Sequence, residues 1–136
     1  MKNYVLLSVV VVFAVTAATA DNLTGADVLL CSSAQAIVCS EEEGCEIAPP
    51  REWNIPAFIK VHLAEETLST TAASGENRVT PIRSVERSGG RIFLQGIERG
   101  RAFSFVIDEA TGLLTVAVAR DGFSVSVFGA CTPVPE

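Results

Sequence analysis

Four kinds of residue in this 136-residue chain could do chemistry: its cysteines, its lone histidine, its clustered carboxylates and a run of arginines. The cysteines, at 31, 39, 45 and 131, are the most informative. An even count in an exported chain points to two disulfides, and four cysteines leave three pairings open. The preferred pairing joins Cys39 to Cys45, clipping the acidic loop Ser40–Gly44, and Cys31 to Cys131. The second bridge closes a loop of ~100 residues, worth about 4 to 5 kcal/mol in the chain-entropy model, and would seal a small barrel at its seam. Zinc is disfavoured, because the spacing of Cys31, Cys39 and Cys45 matches no common pattern and His62 is remote.

Catalysis has little to build on. His62 falls on the outward side of an alternating segment with no neighbouring nucleophile or acid. Sequences of the type G-x-S-x-G, H-E-x-x-H, C-x-x-C, the P-loop and the Rossmann fingerprint are all absent. A glycosidase-type carboxylate pair would have to come from Glu46, Glu52, Asp108 and Glu109, of which Asp108 and Glu109 read better as turn formers. Glu41, Glu42 and Glu43 lack the spacing of a calcium loop and read as a solvated turn. The expectation is therefore a protein that is not an enzyme, with no catalytic residue, no metal and no cofactor.

The remaining candidates could bind. Trp53 lies in the proline-rich connector Ala48–Pro56, as a lid over one end of the core or as a contact for a ligand or partner. Arg78, Arg83, Arg87, Arg91, Arg99 and Arg101 gather positive charge in the middle of a chain whose formal net charge is −6. Most flank turns. Arginine suits bidentate recognition of carboxylate or phosphate, so Arg91, Arg99 and Arg101 join Trp53 as expected binding residues. The acidic balance disfavours nucleic acid and anionic membrane surfaces as partners.

These residues must be positioned by strands. Arg91–Ile97, Ala102–Asp108, Leu113–Arg120 and Phe123–Ala130 alternate with a period of two. Phe103, Phe105 and Ile107 share one face, as do Leu114, Val116 and Val118, and Phe123, Val125 and Val127. The turn Asp121-Gly122 reads as a type I′ hairpin, which needs positive φ at both residues. Upstream, Phe58–Leu63 is a strand with Ile59, Val61 and Leu63 inward, and Thr67–Thr71 is a polar, edge-like return. Val79–Glu86 leads into the meander, with Pro81 marking an edge or bulge. Residues 23–38 fit a capped helix or two short strands around Ser32-Ser33, and the strand reading is preferred. The sum is an all-β, disulfide-stapled, small antiparallel up-and-down barrel or strongly curled meander of about eight strands.

Residues 1–20 have the form of a secretory leader: Lys2, an apolar run from Tyr4 to Val15, and Ala18-Thr19-Ala20 for the peptidase. That run is shorter than the ~20 residues of a membrane span, so no stable anchor is expected once the leader is cut after Ala20. Residues 21–136 then form a single domain, periplasmic or secreted, with a formal charge of −7 once Lys2 is lost from −6.

From the connector Trp53–Pro56, through Val106–Thr115, to Phe128–Thr132, the chain resembles small exported bacterial proteins of unassigned function. The resemblance implies a periplasmic β-domain with disulfides and carries over no catalytic residue. In architecture the meander is similar to lipocalin-like ligand carriers and to periplasmic lysozyme inhibitors, although an inhibitor-type Ser-Gly loop is missing. Three functions follow as expectations: an interaction module for an envelope protein or glycan, a carrier of a small apolar ligand, or an inhibitor of a cell-wall hydrolase.

Overall fold

The structure is a computed structural model that describes residues 22–74 and 77–135. The leader read in residues 1–20 lies outside them.

Among the described residues ten strands follow one another: β1 (Val28–Ser40), β2 (Gly44–Ala48), β3 (Phe58–His62), β4 (Thr67–Thr70), β5 (Val79–Pro81), β6 (Ser84–Ser88), β7 (Arg91–Glu98), β8 (Arg101–Asp108), β9 (Leu113–Arg120) and β10 (Phe123–Pro133). All pairings are antiparallel, in the order β5-β4-β3-β1-β10-β9-β8-β7-β6, with β2 beside the far half of β1. The expected meander is present, and its inward residues are those the alternation selects: Phe103, Phe105, Ile107, Leu114, Val116, Val125 and Val127 are buried. Both disulfides form, Cys31–Cys131 and Cys39–Cys45, as preferred from the sequence.

Three expectations need correcting. Ser32-Ser33 does not divide residues 28–40 into two strands, because β1 continues through a bulge between Ser33 and Gln35. At that point the Ser33 N–H and hydroxyl turn to the carbonyls of Ala57 and Pro56, so the strand keeps its backbone satisfied while exchanging β3 for β2 as neighbour. The hairpin at Asp121-Gly122 is not type I′: only Gly122 has positive φ, which is the type II pattern. Two consecutive positive φ angles occur instead at Gly89-Gly90 and at Arg99-Gly100.

The third correction concerns the seam. Cys31 and Cys131 are register partners inside the β1–β10 ladder, in the middle of the sheet. The sheet curls so far that its two terminal strands, β5 and β6, are successive pieces of one bent segment. Its first half pairs with β4, and Ile82 N–H still donates to Glu66 O; its second half pairs with β7, beginning with Arg83 N–H to Gln95 O. Pro81 has no N–H to give and sits just before the changeover. Side chains bind the wall there: Arg78 Nε lies 2.9 Å and Thr80 Oγ1 2.7 Å from Glu98 Oε1.

The lower end of the curl, beside the turn Asp108–Gly112, is packed solid. Leu23, Leu29, Val61, Ile92, Leu94 and Ile107 are fully buried, each burial worth roughly 1.5–3 kcal/mol. Leu23 plugs this end from outside the strands. Its N–H donates to Glu109 O, and Arg87 fastens the same segment by donating to Ala26 O while its Nε lies 3.1 Å from Glu109 Oε1. Gly96 shows how tight the barrel wall is, since a Cβ there would fall 2.3 Å from the Phe103 ring that covers it.

Replacing Cys31 and Cys131 together by Ala should lower the unfolding free energy by about 4–5 kcal/mol, against about 2 kcal/mol for the Cys39/Cys45 pair, whose loop is far shorter. Urea unfolding of the two double variants checks this; equal losses would refute the ranking.

Candidate functional site

Above the packed end the same inward faces stop meeting. Phe103, Leu114, Val116, Val118, Val125 and Val127 stand around a cavity of about 300 Å³ that opens at the upper end, where the turns at Arg99-Gly100 and Asp121-Gly122 lie. None of the six fully buried side chains of the lower end borders it. The volume is at the small end of the ~300–1,000 Å³ typical of small-molecule pockets. Alternation explains why: every wall residue obeys the strand period, but valines in β9 and β10 are too short to reach the opposite wall.

One side of the mouth is aromatic. The connector turns through a short 3-10 segment, Pro50–Trp53, and ends at Asn54 with φ 54°, which aims Trp53 back over the sheet. Its ring is 5.7 Å from that of Phe123, tilted by 44°. The Arg120 guanidinium lies over Phe123 at 5.1 Å from the ring centroid, a cation–π geometry. Trp53 is half-buried and borders the cavity, so the lid and the contact envisaged for it are one position.

The rest of the mouth is charged. Arg101 and Arg120 border the cavity. The β8–β9 register ends at Ala102↔Ala119, and one further step sets Arg101 and Arg120 side by side at the strand ends. Arg78, Thr80 and Glu98 complete the rim through the seam contacts.

Of the residues singled out from the sequence, Trp53 and Arg101 are brought together at this cavity. Arg99 occupies the adjoining turn, exposed, with φ 48°, and does not line it. Arg91 opens β7 at the lower end, about 20 Å away at ~3.3 Å per residue along the strand, where it faces Asp108 in register. Arg78, Glu98 and Arg120 were not singled out as binding residues. Counting back from the Asp121-Gly122 turn pairs Arg120 with Phe123, whereas its meeting with Arg101 depends on the register across a four-residue loop.

The candidate carboxylates do not converge. Glu52 stands beside Trp53 at the upper end and Asp108 in the turn at the lower one. Asp108 is a turn former: Oδ1 accepts from the Thr111 hydroxyl and N–H and from the Ala110 N–H. The Thr111 hydroxyl above all, then the two N–H groups and Arg91, hold its carboxyl below the ordinary value. His62 lies on the outer face, partly exposed, 3.2 Å from the Ser69 hydroxyl. Among the described residues no three His, Cys, Asp or Glu side chains gather as a metal site would require, and no helix is long and apolar enough to cross a membrane.

The chain matches no family model, no curated protein and no solved structure.

A carboxyl held low in the folded state stabilises the fold above its unfolded value and loses that contribution as pH falls through the folded one. The stability advantage of the parent over Asp108→Asn should accordingly be present at neutral pH and shrink as the pH falls below about 4. Urea unfolding at pH 7 and pH 3 measures it; an advantage independent of pH would refute the account.

Proposed function

We propose that this protein is a non-catalytic carrier that takes a small apolar ligand into the upper half of its curled sheet. It works in an exported, oxidising compartment, the periplasm or the extracellular space, after the leader is removed at Ala20. The observation that carries this reading is the unequal filling of one continuous interior: close-packed leucines and isoleucines below, short valines around about 300 Å³ above. A domain whose interior served stability alone would gain from filling that space, because voids in a core cost packing energy. Oxidation of all four cysteines fits the compartment.

An interaction module using its rim on an envelope protein or glycan is the other function of the same class. It is less well supported. Trp53 is engaged with Phe123 and the cavity wall, and Arg91 lies at the wrong end of the sheet to share a contact surface with it.

Trp53 is the sole tryptophan, so its emission reports on the cavity directly. A neutral naphthylamine dye should quench Trp53 by energy transfer and bind in one-to-one ratio. Val116→Phe and, separately, Val127→Phe should weaken the dye at least tenfold without lowering Tm, since each fills space. Failure of the parent to bind the dye, or unchanged binding by both stably folded variants, would overturn the carrier reading.

A further inference from the structure

We propose that the carried molecule is a single-chain amphiphile with an anionic head, and that Arg101 and Arg120 hold the head at the cavity mouth. The inference rests on the carrier reading and specifies its ligand.

Two like charges side by side at the ends of neighbouring strands repel one another, and such pairs destabilise a sheet. Arg101 and Arg120 are in that relation, one step beyond Ala102↔Ala119. Among the described residues neither has an ion pair or a hydrogen bond, whereas the one carboxylate on the rim, Glu98, is taken up by Arg78 and Thr80. The charged side chains that line the cavity are thus three arginines and one glutamate, in a chain of net charge −6. The acidic loop Glu41–Glu43, clipped by Cys39–Cys45, adjoins the Asp121-Gly122 turn, where Glu41 N–H donates to Gly122 O, but none of its three carboxylates lines the cavity.

The pair is also held in place. Arg120 rests on the Phe123 ring at 5.1 Å, and Phe123 in turn packs against Trp53. Arg101 is half-buried at the start of β8, two residues from Phe103 on the same inward face. Guanidinium groups so fixed match the planar fork of a carboxylate or the oxygens of a phosphate. Directly beneath them the wall is Phe103, Val118 and Val125, with no charged side chain until the packed floor. Charge at the mouth and hydrocarbon below is the complement of an alkyl chain ending in an anion. A volume near 300 Å³ fits one such chain and excludes a two-chain lipid.

The test compares ligands that share one tail. Decanoate, decyl phosphate, decanol and decyltrimethylammonium are titrated against the oxidised protein by displacement of the naphthylamine dye, with Trp53 emission as a second readout. At least one of the two anions should bind ten times or more tighter than decanol, and the cation more weakly than decanol. In Arg101→Gln/Arg120→Gln the anion-to-alcohol ratio should fall to near one. Arg120→Gln alone should reduce it partially, and Lys60→Gln, on the outer face, should leave it as in the parent. Tighter decanoate assigns a fatty-acid type of head and tighter decyl phosphate a phosphate head; either supports the proposal. Equal affinity for anion and alcohol in the parent, or a ratio preserved in the double variant, overturns it while the carrier reading stands. If the dye and all four decyl compounds fail to bind, both fall together.

Discussion

The ladder between Val28–Ser40 and Phe123–Pro133 is the interaction on which the remainder depends. It pairs the first strand with the last over eleven register partners and is crossed by the Cys31–Cys131 bridge. On one side hangs the short series of strands through Pro81, on the other the long meander from Leu113 back to Ser84. Neither series alone brings its apolar face around to meet the other. Because the partners are about a hundred residues apart, this ladder is entropically expensive to close, and the covalent link offsets that cost in the unfolded chain.

Once the curl is set, its interior is shaped by side-chain length. Below, Leu23 enters from outside the sheet and joins Leu29, Ile92 and Ile107 in one fully buried cluster. Above, Val116, Val118, Val125 and Val127 line the cavity together with Ile59, Leu68, Phe103 and Phe105 without filling it, and Trp53 borders it on one flank. The electrostatics follow the same division. Arg87 and Glu109 neutralise each other at the closed end, and at the open end the cavity lining holds three arginines and one glutamate.

Much of this could be read along the chain. Alternation identified the inward residues of the last three strands of the meander, and glycine-bearing turns located its hairpins, because both are local properties of the backbone. The number of thiols pointed to two bridges but left three pairings open, and the structure holds the preferred one, a short clip plus a long tie. Other features were beyond such reading. Ser32-Ser33 has the composition of a break, yet its polar groups are absorbed by Ala57 and Pro56, residues more than twenty positions away. The place where the wall closes was assigned to the cysteines, whereas it falls at Pro81–Arg83, where one segment changes neighbours. Arg120 went unremarked beside Arg101 because nothing in a single strand says which residue will stand across from it. Whether valines opposite valines leave room depends on the curvature of the sheet, a property of all ten strands together.

The bent segment running from Val79 to Ser88 has a mechanical consequence. Elsewhere around the wall, widening would mean unzipping a ladder of backbone hydrogen bonds. Here, beside Glu98, it means parting one carboxylate from an arginine and a threonine. The chamber ends above the packed floor to which Leu23, Leu29 and Ile92 belong, while beside Glu98 its wall is tied by side chains. For the carrier proposed above, a stouter ligand would be accommodated at the expense of those side-chain contacts.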